Sequence, residues 1–144
     1  MNSKRAWGVL AVSAALGGCG GDLDDFLGTW STNETQATTC NGATVNSTST
    51  GSVAVNEGVS SDLAFVLSNG CATNWTVNGD TATVDSGQSC TVKQAGVTAV
   101  VTINTGTATT PDGKTMTYSM TASGSVNGAT CTIDLNGTAT KVSK

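Results

Sequence analysis

Residues 97–124 read VTAVVTINTGTATTPDGKTMTYSMTASG, and the pattern in this stretch decides the fold class. In its first half Val97, Ala99, Val101 and Ile103 share one side of an extended chain, against Thr98, Thr102 and Asn104 on the other. After Pro111-Asp112-Gly113 the alternation resumes, with Met116, Tyr118, Met120 and Ala122 opposing Thr115, Thr117, Ser119 and Thr121. A period of two with one apolar face is what antiparallel strands show when they cover a single core. The Pro-Asp-Gly turn joins the two runs into neighbouring strands.

Working outward, the same alternation recurs. Leu63, Phe65 and Leu67 share a face; Cys131, Ile133 and Leu135 oppose Thr130, Thr132, Asp134 and Asn136. Asn41-Gly42, Asn69-Gly70, Asn78-Gly79 and Asn127-Gly128 can supply the positive φ of tight hairpins. Asn136-Gly137 reads either as another turn or as a kink within a long last strand. The count is about eight strands: near 28–33, 43–50, 52–57, 62–68, 72–77 with 81–85, 90–94 with 97–107, 114–124 and 129–142. Beyond the leader no segment sustains a helical period, and only residues 23–27 could form a helical turn. An open sheet of this size would expose its edges, so the expected fold is all-β, an antiparallel up-and-down barrel of about eight strands. A β-sandwich is the alternative.

Leu27-Gly28-Thr29-Trp30 resembles the Gly-x-Trp opening of lipocalin-like proteins. That resemblance implies a tryptophan on the first strand that closes one barrel end. The overall layout is similar to small outer-membrane lipoproteins of unknown function, a likeness that implies no activity.

The leader carries its own signal. Lys4 and Arg5 precede an uncharged stretch from Ala6 to Gly18, a basic and then apolar export pattern too short to span a bilayer. Leu16-Gly17-Gly18-Cys19 resembles the lipobox of bacterial lipoproteins. In that family the cysteine sulfur receives diacylglycerol, the chain is cut before it, and the new amino group is acylated. The expected organisation is therefore a signal peptide at 1–18, a lipidated tether at 19–27 and a barrel at 28–144. Gly20 is not the aspartate that resembles an inner-membrane retention signal, so the expected address is the outer membrane, facing the periplasm or the cell surface.

Cysteine arithmetic agrees. Assigning Cys19 to lipid leaves Cys40, Cys71, Cys90 and Cys131, an even set suited to two disulfides in an oxidising compartment. Four cysteines allow three pairings. Cys71–Cys90 with Cys40–Cys131 is favoured, because a hairpin at Asn78-Gly79 brings the first two together. Barrel closure would make the strands bearing the other two neighbours.

Residues 19–144 hold four lysines, no arginine and ten acids, with no histidine anywhere in the chain. There is no basic stripe for nucleic acid, and the lipid must supply the membrane attachment alone. Without histidine, His-based nucleophile activation and His-ligated metals are excluded. Glu34, Glu57, Asp62, Asp80 and Asp85 read as scattered solvated acids rather than a glycosidase pair. Asp22, Asp24 and Asp25 offer only part of a calcium loop, so no metal and no cofactor beyond the Cys19 lipid is expected.

Trp30, Phe65, Trp75 and Tyr118, with Phe26, are the aromatic residues of the domain. As structural residues they plug a barrel of small side chains; as functional ones they would line a cavity for an apolar ligand. The plug is the favoured reading, and with it a structural or interaction module, a hydrophobic-ligand carrier being the alternative and an enzyme not expected.

The protein isolated from its membrane should begin at Cys19 and carry fatty acyl chains. Metabolic labelling with a radioactive fatty acid should mark the wild type and miss Cys19→Ser; label on the variant, or a different first residue, would refute the lipid assignment.

Overall fold

The structure is a computed structural model describing residues 22–67, 70–94 and 96–144. The export segment and Cys19 lie outside the described residues.

A single helical turn, α1 (Asp22–Phe26), precedes nine strands. These are β1 (Gly28–Cys40), β2 (Ala43–Glu57), β3 (Leu63–Leu67), β4 (Ala72–Asn78), β5 (Thr81–Val84), β6 (Ser89–Gln94), β7 (Val97–Thr109), β8 (Thr115–Val126) and β9 (Ala129–Ser143). All pairings are antiparallel, in the order β5-β4-β3-β2-β1-β9-β8-β7-β6, and β5 also pairs with β7. That last pairing, Thr81–Thr109 to Thr83–Thr107, closes eight strands into an up-and-down barrel with β6 as an additional strand. β6 lies along the first half of β7, from Val97 to Thr102, and β5 takes over from Thr107.

Strand lengths differ from the expected ones for local reasons. The runs 43–50 and 52–57 are one strand, because Gly51 stays in register opposite Thr32. The segments 72–77 and 81–85 form a hairpin around Gly79 (φ 64°), and 90–94 and 97–107 form another around Gly96 (φ 80°). Asn41-Gly42 and Asn127-Gly128 have positive φ at both residues, the mirror-image turn whose twist suits two-residue hairpins. Gly137 lies inside β9, so the strand runs through the last Asn-Gly pair.

The barrel is lopsided. β1, β2, β8 and β9 have 12–15 residues, whereas β3 has 5 and β5 has 4. β3 pairs with β2 only from Val53 to Glu57, so among the described residues nothing pairs the second edge of Ala43–Ser52, which are exposed on both faces. In β7 the register shifts between Ile103 and Thr105. One residue is extra there, so Val101 and Ile103 point inward before the bulge and Gly106 and Ala108 after it.

The core sits at the α1 end. Phe26 and Trp30 are both 0% exposed, with Leu63 and Met116 among the fully buried residues beside them in the core. The Trp30 indole Nε1–H donates to the Phe26 carbonyl at 2.8 Å, stitching the helical turn to the strand that follows it. Lys141 on β9 donates to the Asp25 carbonyl at 2.7 Å and lies 4.8 Å from the Trp30 ring centroid. A cation at the C-terminal end of a helical turn meets unsatisfied carbonyls there, and the indole face adds a cation–π contact. Desolvation lowers the Lys141 pKa, and Lys144 adds to that, against the opposing pull of Asp25 and Asp24.

The β7–β8 turn is tied by Asp112. Its Oδ1 accepts the backbone N–H groups of Lys114 (2.8 Å) and Thr115 (2.7 Å). The Thr115 and then the Lys114 backbone bond hold the carboxyl below its ordinary 3.8. A depressed folded pKa means that the contribution is present above 3.8 and lost as pH falls through the folded value. Asp112→Asn should therefore melt earlier than wild type at neutral pH, with the gap closing on acidification. Thermal melts across that range would contradict the turn assignment if the gap were constant.

Candidate ligand cavity

Inward residues follow parity from the floor upward. On β1, Trp30 and Thr32 are buried and Glu34 and Gln36 follow on the same face. On β8 the inward set is Met116, Tyr118, Met120 and Ala122; on β9 it is Ile133, Leu135, Gly137 and Ala139. Near Trp30 these side chains fill the barrel. Above it they do not, and a cavity of about 340 Å³ remains. Its apolar wall includes Val53, Phe65, Trp75, Val101, Ile103 and Met120, and its polar side Thr32, Glu34, Gln36, Ser49 and Tyr118. Ser49–Ser52 on β2 and Cys90 and Val92 on β6 also line it. Those are the stretches whose outer edges no described strand pairs, so the wall is incomplete between them.

The aromatic residues therefore divide. Trp30 belongs to the packed floor and does not line the cavity, whereas Phe65, Trp75 and Tyr118 do. Phe65 and Trp75 stack with centroids 4.5 Å apart and planes 19° from parallel. The Trp75 Nε1–H is satisfied by Thr73 Oγ1 at 2.8 Å, which fixes the indole and leaves no unpaired polar atom in that wall. Space for the ring comes from Gly106, where a Cβ would stand 3.1 Å from Trp75 and 3.0 Å from Val84.

Tyr118 is held from the other side of the chamber. Registers Glu34–Gly137 and Tyr118–Gly137 put three residues in one row across β1, β9 and β8. The Tyr118 ring crosses over Gly137, where any Cβ would overlap it, and its hydroxyl donates to Glu34 Oε1 at 2.5 Å. Burial, then the bond to Glu34 and its charge, push the Tyr118 pKa far above the ordinary phenol value; a hydroxyl contact from Thr32 opposes them. Ser49 Oγ approaches Glu34 Oε2 at 3.4 Å. Glu34 is thus a wall residue of the cavity, not the solvated acid that the sequence suggested. The signal was its parity with Trp30 and Thr32 on β1.

The cysteines form two bonds, Cys40–Cys131 across 91 residues and Cys71–Cys90 across 19. Cys40 and Cys131 stand directly opposite each other in the β1–β9 ladder, with Cα atoms 4.3 Å apart. Cys71, just before β4, is tied to β6. Among the described residues no three His, Cys, Asp or Glu side chains gather as a metal site, and no helix is long and apolar enough to cross a membrane.

Fold and cavity define a small up-and-down β-barrel with one packed end and a chamber at the other. No protein-family model matches the chain, and no curated protein does. Among solved structures it is similar to a crystal structure of a protein of unknown function from the DUF3598 family of Nostoc punctiforme. Identity is 9% and the TM-score 0.43, over 83% of this chain and 49% of that one. This chain thus spans about half the length of that neighbour.

Glycine in a strand normally costs stability, so Gly137→Ala would ordinarily help. Here it should cost about 1–3 kcal/mol, because the Tyr118 ring must leave its row. Tyr118→Leu in the same chain should recover part of that loss. Denaturant titration of the two single variants and the double would reject the stacked row if their effects simply added.

Proposed function

We propose that this protein is a non-catalytic carrier, anchored through Cys19 to the outer membrane, that holds a small hydrophobic molecule inside its barrel. The observation behind the carrier reading is the cavity of about 340 Å³ above the Trp30 floor, at the small end of the range for ligand sites. A barrel serving only as a scaffold gains nothing by leaving that space unfilled, since each missing apolar contact weakens the core. Phe65 and Trp75 offer a flat aromatic wall, and the incomplete side between β2 and β6 offers a way in. The anchor reading is supported by Lys4, Arg5 and Leu16-Gly17-Gly18-Cys19, together with the even set of cysteines that remains. Two or more acyl chains on one residue suffice for stable attachment at about 0.8 kcal/mol per buried methylene.

The rival reading, a structural or interaction module, draws on one observation. Among the described residues no strand pairs the edge of β2 over Ala43–Ser52, a stretch that carries no charge. Unprotected edges of this kind invite strand addition.

Native mass spectrometry of the protein, gently extracted with its anchor intact, separates the two. A reproducible co-purifying small molecule is expected, and Leu135→Trp, which adds bulk inside the cavity, should lose it while keeping both disulfides and the cooperative melt. A wild-type barrel that is always empty, or a molecule retained equally by the variant, would refute the carrier.

A further inference from the structure

The cavity has one acidic wall residue, and no basic one among the described residues that line it. Glu34 stands at its polar side, and no lysine or arginine is among the residues lining it. Of the described basic side chains, Lys141 is engaged at the α1 end with Asp25 and Trp30, and Lys114 and Lys144 are exposed. No ion pair with Glu34 forms among the described residues; its neighbours are two hydroxyls. Tyr118 saturates one direction of Oε1 at 2.5 Å, and Ser49 reaches Oε2 only at 3.4 Å, near the limit of a hydrogen bond. An ionised carboxylate has about four lone-pair sites, all of them acceptors. Oε2 therefore retains strong capacity to accept a bond from a molecule inside the chamber, and the local field favours a positive donor.

We infer that the ligand is an amphipathic amine: an ammonium group on Glu34 Oε2 with its apolar body against Phe65 and Trp75. This rests on the carrier reading and specifies its ligand. The Tyr118 hydroxyl acts as a positioning group, holding Oε1 across Gly137 and leaving Oε2 with only the long Ser49 contact. Fatty acids and other carboxylates are disfavoured. Their head would meet Glu34 with no cation to balance it, inside a domain whose acids outnumber its bases. Neutral alcohols could donate to Oε2 but carry no positive charge, so they gain the hydrogen bond without the Coulombic attraction of an ammonium.

The test titrates the processed, lipidated protein in neutral-lipid nanodiscs with phenylbutylamine, phenylbutanol and phenylbutanoate, with empty nanodiscs as blanks. Tryptophan fluorescence and calorimetry report binding. The amine should bind roughly tenfold or more tightly than the carboxylate. Glu34→Gln should erase that preference while leaving the alcohol's affinity within about twofold. Tyr118→Phe, which unties Oε1 and leaves the carboxylate unheld, should weaken the amine several-fold while keeping its lead over the carboxylate. Equal or tighter binding of the carboxylate, or an amine affinity untouched by Glu34→Gln, would overturn the amine assignment and leave the carrier standing. If none of the three probes binds and the extracted protein holds no molecule, both readings fall. The comparison among probes on the wild type stands even if a variant misfolds.

Discussion

The ladder between β1 and β9, from Trp30–Lys141 to Cys40–Cys131, fixes the inside of this barrel. It seals the long wall, where the first and last strands of the domain meet. It also decides which residues face inward on both. A slip of one residue would turn Trp30, Thr32 and Glu34 to solvent and bring Ser31, Asn33 and Thr35 into the core. The row Glu34–Gly137–Tyr118 exists only in the observed register, because only a residue without a Cβ lets the tyrosine ring cross β9. Cys40–Cys131 pins the same ladder at its far end, and the Lys141–Trp30–Asp25 contacts pin it at the near one.

Much of this was legible because a strand's side chains alternate whatever the tertiary context. Leu63, Phe65, Met116, Tyr118 and Cys131 could be assigned to an inner face from period alone, and the scarcity of helical patterning left few other architectures. Closure followed from the need to hide edges, and the cysteine spacing then agreed with a first strand lying beside a last one. What resisted was anything set by distance rather than by period. The β7 bulge turns the inward face over after Ile103, yet Asn104 and Thr105 look like any other Thr-rich strand. Gly51 reads as a break between two runs but lies inside β2, and Gly137, legible as a turn or as a kink within the last strand, gave no sign of the Tyr118 ring it makes room for.

Glu34 shows the same limit at the site itself. A lone acid between Asn33 and Thr35 has the composition of a solvated surface, and only its parity with the buried Trp30 marks it as inward. Whether the aromatic residues fill the barrel or frame a space depends on summed volumes around the ring of strands, which no single strand encodes. The outcome is a division. Phe26 and Trp30 occupy the floor, and Phe65, Trp75 and Tyr118 stand back around the chamber.

That division explains where the covalent links are placed. The α1 end is held by packing, with fully buried Trp30, Phe26 and Leu63 and no disulfide. The opposite end has a chamber in place of a core, a β2 edge that no described strand pairs and short neighbours, so burial can contribute little there. Both disulfides lie toward this end: Cys40–Cys131 at the tips of the long strands, and Cys71–Cys90 with Cys90 in the cavity wall. In the chain-entropy account the two loops contribute about 4–5 and about 3 kcal/mol, acting on the unfolded chain and needing no filled interior. A barrel can thus stay hollow at one end because its stability there comes from constraint rather than contact. An oxidising compartment is what makes such a construction durable.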